Sequence, residues 1–246
     1  MSDTVNRSLV LIGGKAAGGK TASLRTLKDP TGVVYLGCEA GKELPFAQAE
    51  GKKFRKLVVT NPYQVHSVFA EAEKDKAVHT IVIDTLTFLM DMFESTVVLR
   101  ADDGRAAWSD YAQFYKKLMQ EYVAATNKNV IMLAHITDVL DEVEGVMETL
   151  VKVKGQLMTQ GIESYFCNVV TARKIAVTKL KDYANPHLII TPEEEVQGFK
   201  YVYQTKLTRE TVNARIRGPL GLWSTEETFI DNDAQFLLDQ LHNYYN

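Results

Sequence analysis

Short apolar runs recur along the first 135 residues, and stretches with helical spacing separate them. The runs predict strands at Ser8–Gly13, Val33–Gly37, Lys56–Thr60, His79–Asp84 and Asn129–Ala134. Strands that are apolar at nearly every position are typical of a parallel sheet with helices on both faces. The pattern therefore predicts an α/β fold with a mostly parallel central sheet.

Four segments between these strands have helical spacing and local start or stop signals. Asn61-Pro62 provides an N-cap and a first-position proline for one helix, and Asp29-Pro30 stops another. The predicted helices are Lys20–Lys28, Asn61 to about Lys76, Leu86–Leu99 and Ser109–Thr126.

The pattern changes after His135. Apolar and polar residues alternate on both sides of Gly145, which predicts a β-hairpin over Asp138–Lys154. Further strands are predicted at Tyr165–Thr171, Lys174–Leu180, Pro186–Thr191 and Lys200–Leu207, antiparallel where they are neighbours, and a last helix at about Asp233–Tyr244. With no repeat or linker, one domain is expected over 1–246: a core at about 8–136, a β-rich portion at about 137–222 and a C-terminal helix at about 231–246.

Composition excludes several classes of protein. The net charge of −3 gives no global basic field for nucleic acid, so a polyanion would need a local patch. No apolar run is long enough to span a membrane, and the first residues have no secretory pattern. The two cysteines, Cys38 and Cys167, are expected to be buried and reduced. A cytoplasmic protein with no membrane partner is the expectation.

The first strand leads into a glycine-rich segment that carries the clearest chemistry. Residues 14–21, GKAAGGKT, fit the phosphate-loop pattern G-x-x-x-x-G-K-[ST] at every position, between a predicted strand and a predicted helix. Backbone amides of such a loop bind the phosphates of ATP, the lysine reaches the β- and γ-phosphates, and the hydroxyl ligates Mg²⁺. The predicted nucleotide-binding residues are Gly14, Lys15, Ala16, Ala17, Gly18, Gly19, Lys20, Thr21 and Ala22.

Three further polar residues follow predicted strands. Asp84 ends an apolar strand and is a candidate Mg²⁺ ligand with Thr21, although an aspartate there can also cap the next helix. Thr85 stands where some ATPases have a catalytic glutamate, so Glu39 is the candidate for activating water, against a solvated loop acid. His135 is the candidate γ-phosphate sensor, against a partly buried histidine without that role. Strand ends of a parallel sheet converge on the ligand crevice, so these side chains are expected to meet.

The motif order resembles the RecA-like recombinase ATPases. GGKAAGGKT, VVYLGCEAG, HTIVIDTLT and NVIMLAHIT carry the resemblance, and KVKGQL and RIRGPLG make it most similar to phage-encoded RecA-like proteins associated with single-strand annealing and recombination. It covers about residues 8–220. It implies a RecA-like P-loop NTPase fold, catalytic Glu39 and Lys20, and His135 as sensor, where RecA-like proteins often have glutamine.

The resemblance also implies binding of single-stranded DNA through two loops, here about Val97–Trp108 and Thr137–Gly155. The first loop offers cations and a tryptophan that can stack on a base. The second is acidic between residues 138 and 148, which opposes phosphate binding by counterion release. Candidate DNA contacts are Arg100, Arg105, Trp108, Lys152 and Lys154.

RecA-like sites are commonly completed by a neighbouring subunit, so a homo-oligomer or filament is expected. Arg215 and Arg217 are the candidate trans-acting arginines, against a basic surface strand. A single-strand-binding protein is a further candidate partner, and a bacterial host cytoplasm is the expected location for a phage-encoded protein. Two alternatives stay open: a nucleotide-switched replication or packaging accessory without DNA-stimulated turnover, and a small-molecule or nucleotide kinase.

Overall fold

A computed structural model describes residues 5–246. Its strands are β1 (Leu9–Gly14), β2 (Val33–Gly37), β3 (Arg55–Val58), β4 (Thr80–Asp84), β5 (Asn129–Asp141), β6 (Val146–Val151), β7 (Asn168–Ala176), β8 (Phe199–Gln204) and β9 (Phe229–Asp231). Its α-helices are α1 (Gln64–Lys74), α2 (Leu86–Thr96), α3 (Gly104–Lys117), α4 (Gln156–Gln160), α5 (Val177–Leu180), α6 (Pro192–Gln197) and α7 (Ala234–Tyr245). None of these helices has the length and apolar character needed to cross a membrane.

The strands form one sheet in the order β3-β2-β4-β5-β1-β7-β8-β9. Pairing is parallel from β3 to β7, whereas β8 and β9 are antiparallel, and β6 pairs antiparallel with the outer half of β5. The phosphate-loop strand β1 and the Asp84 strand β4 lie on either side of β5. The predicted class is confirmed: an α/β fold with a mostly parallel sheet and a C-terminal antiparallel extension.

Two apolar clusters cover the two faces of the sheet. Leu11 of β1 faces a cluster that includes Phe69, Phe93 and Tyr115 from α1, α2 and α3. Ile12, one position on, faces the opposite cluster, which contains α7 residues. Successive residues of a strand point to opposite faces, so a strand that is buried on both sides must be apolar throughout. This explains the uninterrupted apolar runs of the N-terminal strands.

The predicted helix at Lys20–Lys28 is wrong in type. Residues Thr21–Thr26 form a 3-10 helix. Ser23 Oγ donates to the Lys20 carbonyl at 2.5 Å, and Thr26 Oγ1 donates to the Ser23 carbonyl at 3.0 Å. Hydroxyl side chains that bond nearby carbonyls compete with regular helical pairing, which accounts for the tighter turn.

Two other helix starts differ from the prediction. The α1 helix begins at Gln64, because Asn61 accepts from the Tyr63 amide in a local turn and does not cap the helix. The α3 helix begins five residues before the predicted Ser109, since the Asp103 carboxylate caps it by accepting from the amides of Arg105 and Ala106. A side-chain cap therefore fixes the start of α3, whereas α1 begins without one.

The C-terminal strands are partly as predicted. The hairpin is confirmed, with Gly145 at φ 67° in its turn, and the last helix is capped by Asp233. The strands predicted at Tyr165–Thr171 and Lys174–Leu180 are one strand, β7, and residues 177–180 are helical. Residues 186–191 are not a strand, because the amides of His187 and Ile189 donate to side chains instead of a neighbouring strand.

The two cysteines differ in environment. Cys38, beyond the end of β2, is buried, as predicted. Cys167, directly before β7, is exposed, which corrects the expectation of two buried thiols. Both are free thiols.

Candidate functional site

The carboxyl ends of β1, β2 and β4 meet the middle of β5 at one edge of the sheet. The phosphate loop, Glu39 and Asp84 follow or end β1, β2 and β4, and His135 lies within β5, where it is the partner of Gly14 at the last paired position of β1. The phosphate loop, Glu39 and His135 line a cleft of about 570 Å³. The convergence expected from a parallel sheet is therefore present, because the strands bring residues about 20 to 120 positions apart in the sequence to the same edge.

The phosphate loop packs closely against β7. A Cβ atom at Gly14 would lie 2.8 Å from the Ala172 carbonyl oxygen, and one at Gly18 would lie 2.9 Å from the same oxygen. Real Cβ atoms do not approach backbone oxygens this closely, so both positions require glycine. The loop between them is held by a hydrogen bond from the Gly18 amide to the Lys15 carbonyl at 3.1 Å.

Lys20 is buried at the base of the cleft. Its ammonium donates to the carbonyls of Gly14 and Lys15 at 2.9 and 3.0 Å, and lies 3.5 Å from His135 Nδ1. Burial lowers the pKa of Lys20 from 10.5 to about 8, against the opposing attraction of Asp84 and Glu39. A buried cation whose hydrogen-bond partners are neutral groups suits an anionic ligand.

Thr21 and Asp84 are in contact. Thr21 Oγ1 donates to Asp84 Oδ2 at 2.8 Å, and the Tyr35 hydroxyl donates to the same oxygen at 2.8 Å. Burial raises the pKa of Asp84, although both hydrogen bonds oppose the rise. Asp84 Oδ1 is buried and has no hydrogen-bond partner within residues 5–246. An unpartnered carboxylate oxygen beside a threonine hydroxyl fits the oxygen ligands that Mg²⁺ prefers.

Glu39 and His135 are in contact at one end of the cleft. Glu39 Oε1 lies 3.5 Å from His135 Nε2, and Glu39 Oε2 accepts from Lys42 Nζ at 3.0 Å. Burial and the nearby Lys20 lower the pKa of His135, which keeps the imidazole neutral at neutral pH. The His135 amide also donates to Thr87 Oγ1 at 2.9 Å, which ties this part of β5 to α2.

The opposite wall of the cleft comes from residues that sequence reasoning missed. Tyr201 of β8 covers the phosphate loop: a Cβ atom at Gly19 would lie 3.0 Å from its ring. Lys200, buried beside it, pairs with Glu194 at 2.8 Å and with Asp231 at 3.2 Å. Phe46 and Asn232 also line this wall. No local sequence signal marks these wall residues, because their position depends on the packing of separate chain segments. Tyr35, whose hydroxyl donates to Asp84, was also missed, although a tyrosine in the otherwise aliphatic strand β2 is a local signal.

The two candidate DNA-binding segments adjoin. A Cβ atom at Gly155 would lie 3.4 Å from the Trp108 ring, and the Lys154 amide donates to the Tyr111 hydroxyl at 3.3 Å. Trp108 is 36% exposed and stands edge-on to Tyr111. Arg100, Arg105 and Lys152 are exposed, while the Lys154 ammonium pairs with Glu94 at 2.6 Å.

The two candidate trans-acting arginines differ. The Arg215 guanidinium pairs within the chain with Glu148 at 3.1 Å and Glu163 at 3.3 Å. Arg217 is exposed, and its backbone exchanges hydrogen bonds with Val169. Of the pair, Arg217 is the residue whose side chain is placed to reach another molecule.

Comparison with known proteins identifies the family. No curated protein matches the chain. Among solved structures, a KaiC-like protein from the hyperthermophilic archaeon Pyrococcus horikoshii is similar, with 16% sequence identity, a TM-score of 0.43, and coverage of 85% of this chain and 82% of that one. The AAA domain family matches residues 6–213. The chain therefore belongs to the AAA domain family, which supports its assignment as a nucleotide-binding P-loop ATPase.

Proposed function

We propose that this protein binds ATP with Mg²⁺, hydrolyses it, and uses the cycle to control binding of single-stranded DNA in recombination or annealing. The observation that carries the ATPase part is the meeting of Lys20, the Thr21–Asp84 pair and the Glu39–His135 pair at one end of a single cleft. Each pair supplies a different requirement of phosphoryl transfer.

The position of each residue in the cleft determines its role in ATP hydrolysis. Loop amides and Lys20 bind the phosphates, and Thr21 with Asp84 would hold Mg²⁺, which neutralises charge on the β- and γ-phosphate oxygens. Glu39 accepts the proton of the water that attacks the γ-phosphorus, while the bond to the β,γ-bridging oxygen breaks. Lys42 keeps the Glu39 carboxylate oriented, and the neutral His135 imidazole forms a hydrogen bond to the γ-phosphate.

The DNA part of the proposal is supported by surface placement. The segment around Trp108 and the segment after β6 adjoin, so a strand lying across them would meet one aromatic ring and several exposed cations. Base stacking and phosphate contacts are the two contributions that non-specific single-strand binding needs. Arg217 is proposed to act on the nucleotide of a neighbouring copy in a homo-oligomer or filament, in the cytoplasm of a phage-infected bacterium.

The direct test is ATP turnover with and without single-stranded DNA, for the wild type and Glu39→Gln. Loss of a general base costs about 10²–10⁴-fold in rate, whereas ATP affinity should stay within about threefold. Wild-type turnover that DNA stimulates, and that Glu39→Gln loses, supports the proposal. Tight binding without turnover in the wild type would contradict the ATPase proposal and favour a nucleotide-switched accessory.

A further inference from the structure

The side chain of Asn232 lines the cleft and carries a buried hydrogen-bond donor without a partner in the described residues. Asn232, between β9 and α7, is 3% exposed, and its Nδ2 has no acceptor within residues 5–246. Its backbone carbonyl accepts from Arg25 Nη1 at 3.3 Å, which fixes the residue beside the 3-10 helix after the phosphate loop. A buried donor without an acceptor destabilises the folded chain, so its retention calls for a partner from outside the chain.

The position of Asn232 indicates which part of a nucleotide it meets. Its Oδ1 lies 3.5 Å from where a Cβ atom at Gly19 would be, and the residue lines the same cleft as the phosphate loop. Glu39 and His135 occupy the catalytic end of that cleft. A nucleotide with its phosphates on the loop must extend its base along the remaining wall, which Arg25, Phe46 and Asn232 line.

The geometry points to Asn232 as the residue that reads the base, and to adenine as the base it selects; this inference rests on the proposed nucleotide binding. A carboxamide offers one donor and one acceptor side by side. Adenine presents the complementary pair at one edge, with N7 accepting and N6 donating, whereas guanine presents two acceptors, N7 and O6, at that edge. Nδ2 therefore donates to N7, and Oδ1 accepts from N6.

The neighbouring carboxylates are already engaged. Glu194 and Asp231 both pair with the buried Lys200. Asp233 uses Oδ1 to accept the Phe236 amide at 2.9 Å, which caps α7. Recognition of guanine through its N1 and N2 donors requires a carboxylate or an equivalent acceptor pair. Because these carboxylates already bind groups of the protein, the side-chain amide of Asn232 is the group on this wall suited to base recognition.

The test compares ADP with 7-deaza-ADP, which lacks only the N7 acceptor, by isothermal titration calorimetry. The wild type should bind 7-deaza-ADP about tenfold more weakly, the cost of one hydrogen bond at a buried donor. Asn232→Asp keeps the side-chain shape and removes the donor, so the ratio of the two affinities should fall to about one. The ratio cancels any general effect of the added charge on phosphate binding.

Asn243→Asp is the matched control, since it makes the same change on the exposed side of α7 and should leave the tenfold ratio intact. Equal wild-type affinities for the two ligands would overturn the inference without use of any variant. An unchanged ratio in Asn232→Asp would also overturn it. Failure of nucleotide binding itself is distinguished by Lys20→Ala: unaltered ADP affinity in that variant refutes the phosphate site, whatever Asn232 does.

Discussion

The catalytic end of the cleft and the β5–β6 hairpin are both rich in charge, but they arrange it differently. In the cleft, Lys20 and Asp84 are buried, and one carboxylate oxygen has no partner within residues 5–246. On the hairpin, Asp138 is exposed and pairs with Lys15 at 2.6 Å. Buried charges that lack complete pairing are costly unless a ligand compensates them, whereas exposed pairs contribute little. The two regions should therefore respond very differently to the same kind of substitution.

The largest effect is expected for Lys20→Ala. The buried ammonium should contribute a charge-assisted hydrogen bond to phosphate, so ATP affinity should fall by about 100-fold. Lys15→Ala is the matched control, because the variant keeps the backbone amide expected to bind phosphate and removes only a side chain that is 67% exposed and pairs with Asp138. Its ATP affinity should stay within about threefold. Calorimetric titration of both variants measures the two ATP affinities. An equal loss of ATP affinity in both variants would contradict the proposed difference between buried and exposed charges.

The next effect is a dependence of ATP affinity on pH. The pKa of Lys20 is about 8, so its ammonium is charged below pH 8 and increasingly neutral above it. Phosphate binding favours the charged form, so the association constant should fall by up to about tenfold per pH unit above 8. Titrations at pH 7, 8 and 9 measure this fall. Lys20→Ala should lack it, and a constant wild-type affinity over that range would contradict the assignment.

A smaller effect is expected on the DNA surface. Trp108→Ala should weaken binding of a fluorescent oligothymidine by about tenfold, within the range of one lost base stack. Tyr244→Ala, which removes an exposed aromatic ring from α7, is the control and should leave the affinity unchanged. Fluorescence anisotropy at two salt concentrations measures both variants. Equal DNA affinities for wild type and Trp108→Ala would remove Trp108 from the proposed surface.

The smallest effect is expected for Asp138→Asn. The variant removes the charge that pairs with Lys15 and keeps the size of the side chain. An exposed ion pair contributes about 0–1 kcal/mol, so the free energy of unfolding in urea should change by less than about 1 kcal/mol. A larger loss would mean that the hairpin is held to the phosphate loop as firmly as the cleft residues are held to one another.

The same contrast explains what the sequence could predict. Glycine spacing, apolar strands and polar strand ends are local signals, and they identified the phosphate loop, Asp84, Glu39 and His135 as a group. Asn232 and Lys200 carry no such signal, because their environment is created by chain segments more than 150 residues from the loop. The strand predicted at residues 186–191 is absent for a related reason. An alternating pattern assumes a neighbouring strand that accepts the backbone amides, but here the amides of His187 and Ile189 donate to side chains.

β5 is a single strand of 13 residues that begins between the phosphate-loop and Asp84 strands and ends in the hairpin turn. From His135 to Asp141 it extends about 20 Å at roughly 3.3 Å per residue. A stiff arm of that length amplifies rotation at its base: a tilt of about 10° at His135 would displace the turn by about 3.5 Å. A tilt of that size at His135 would therefore reach the hairpin turn as a shift of about one atomic diameter.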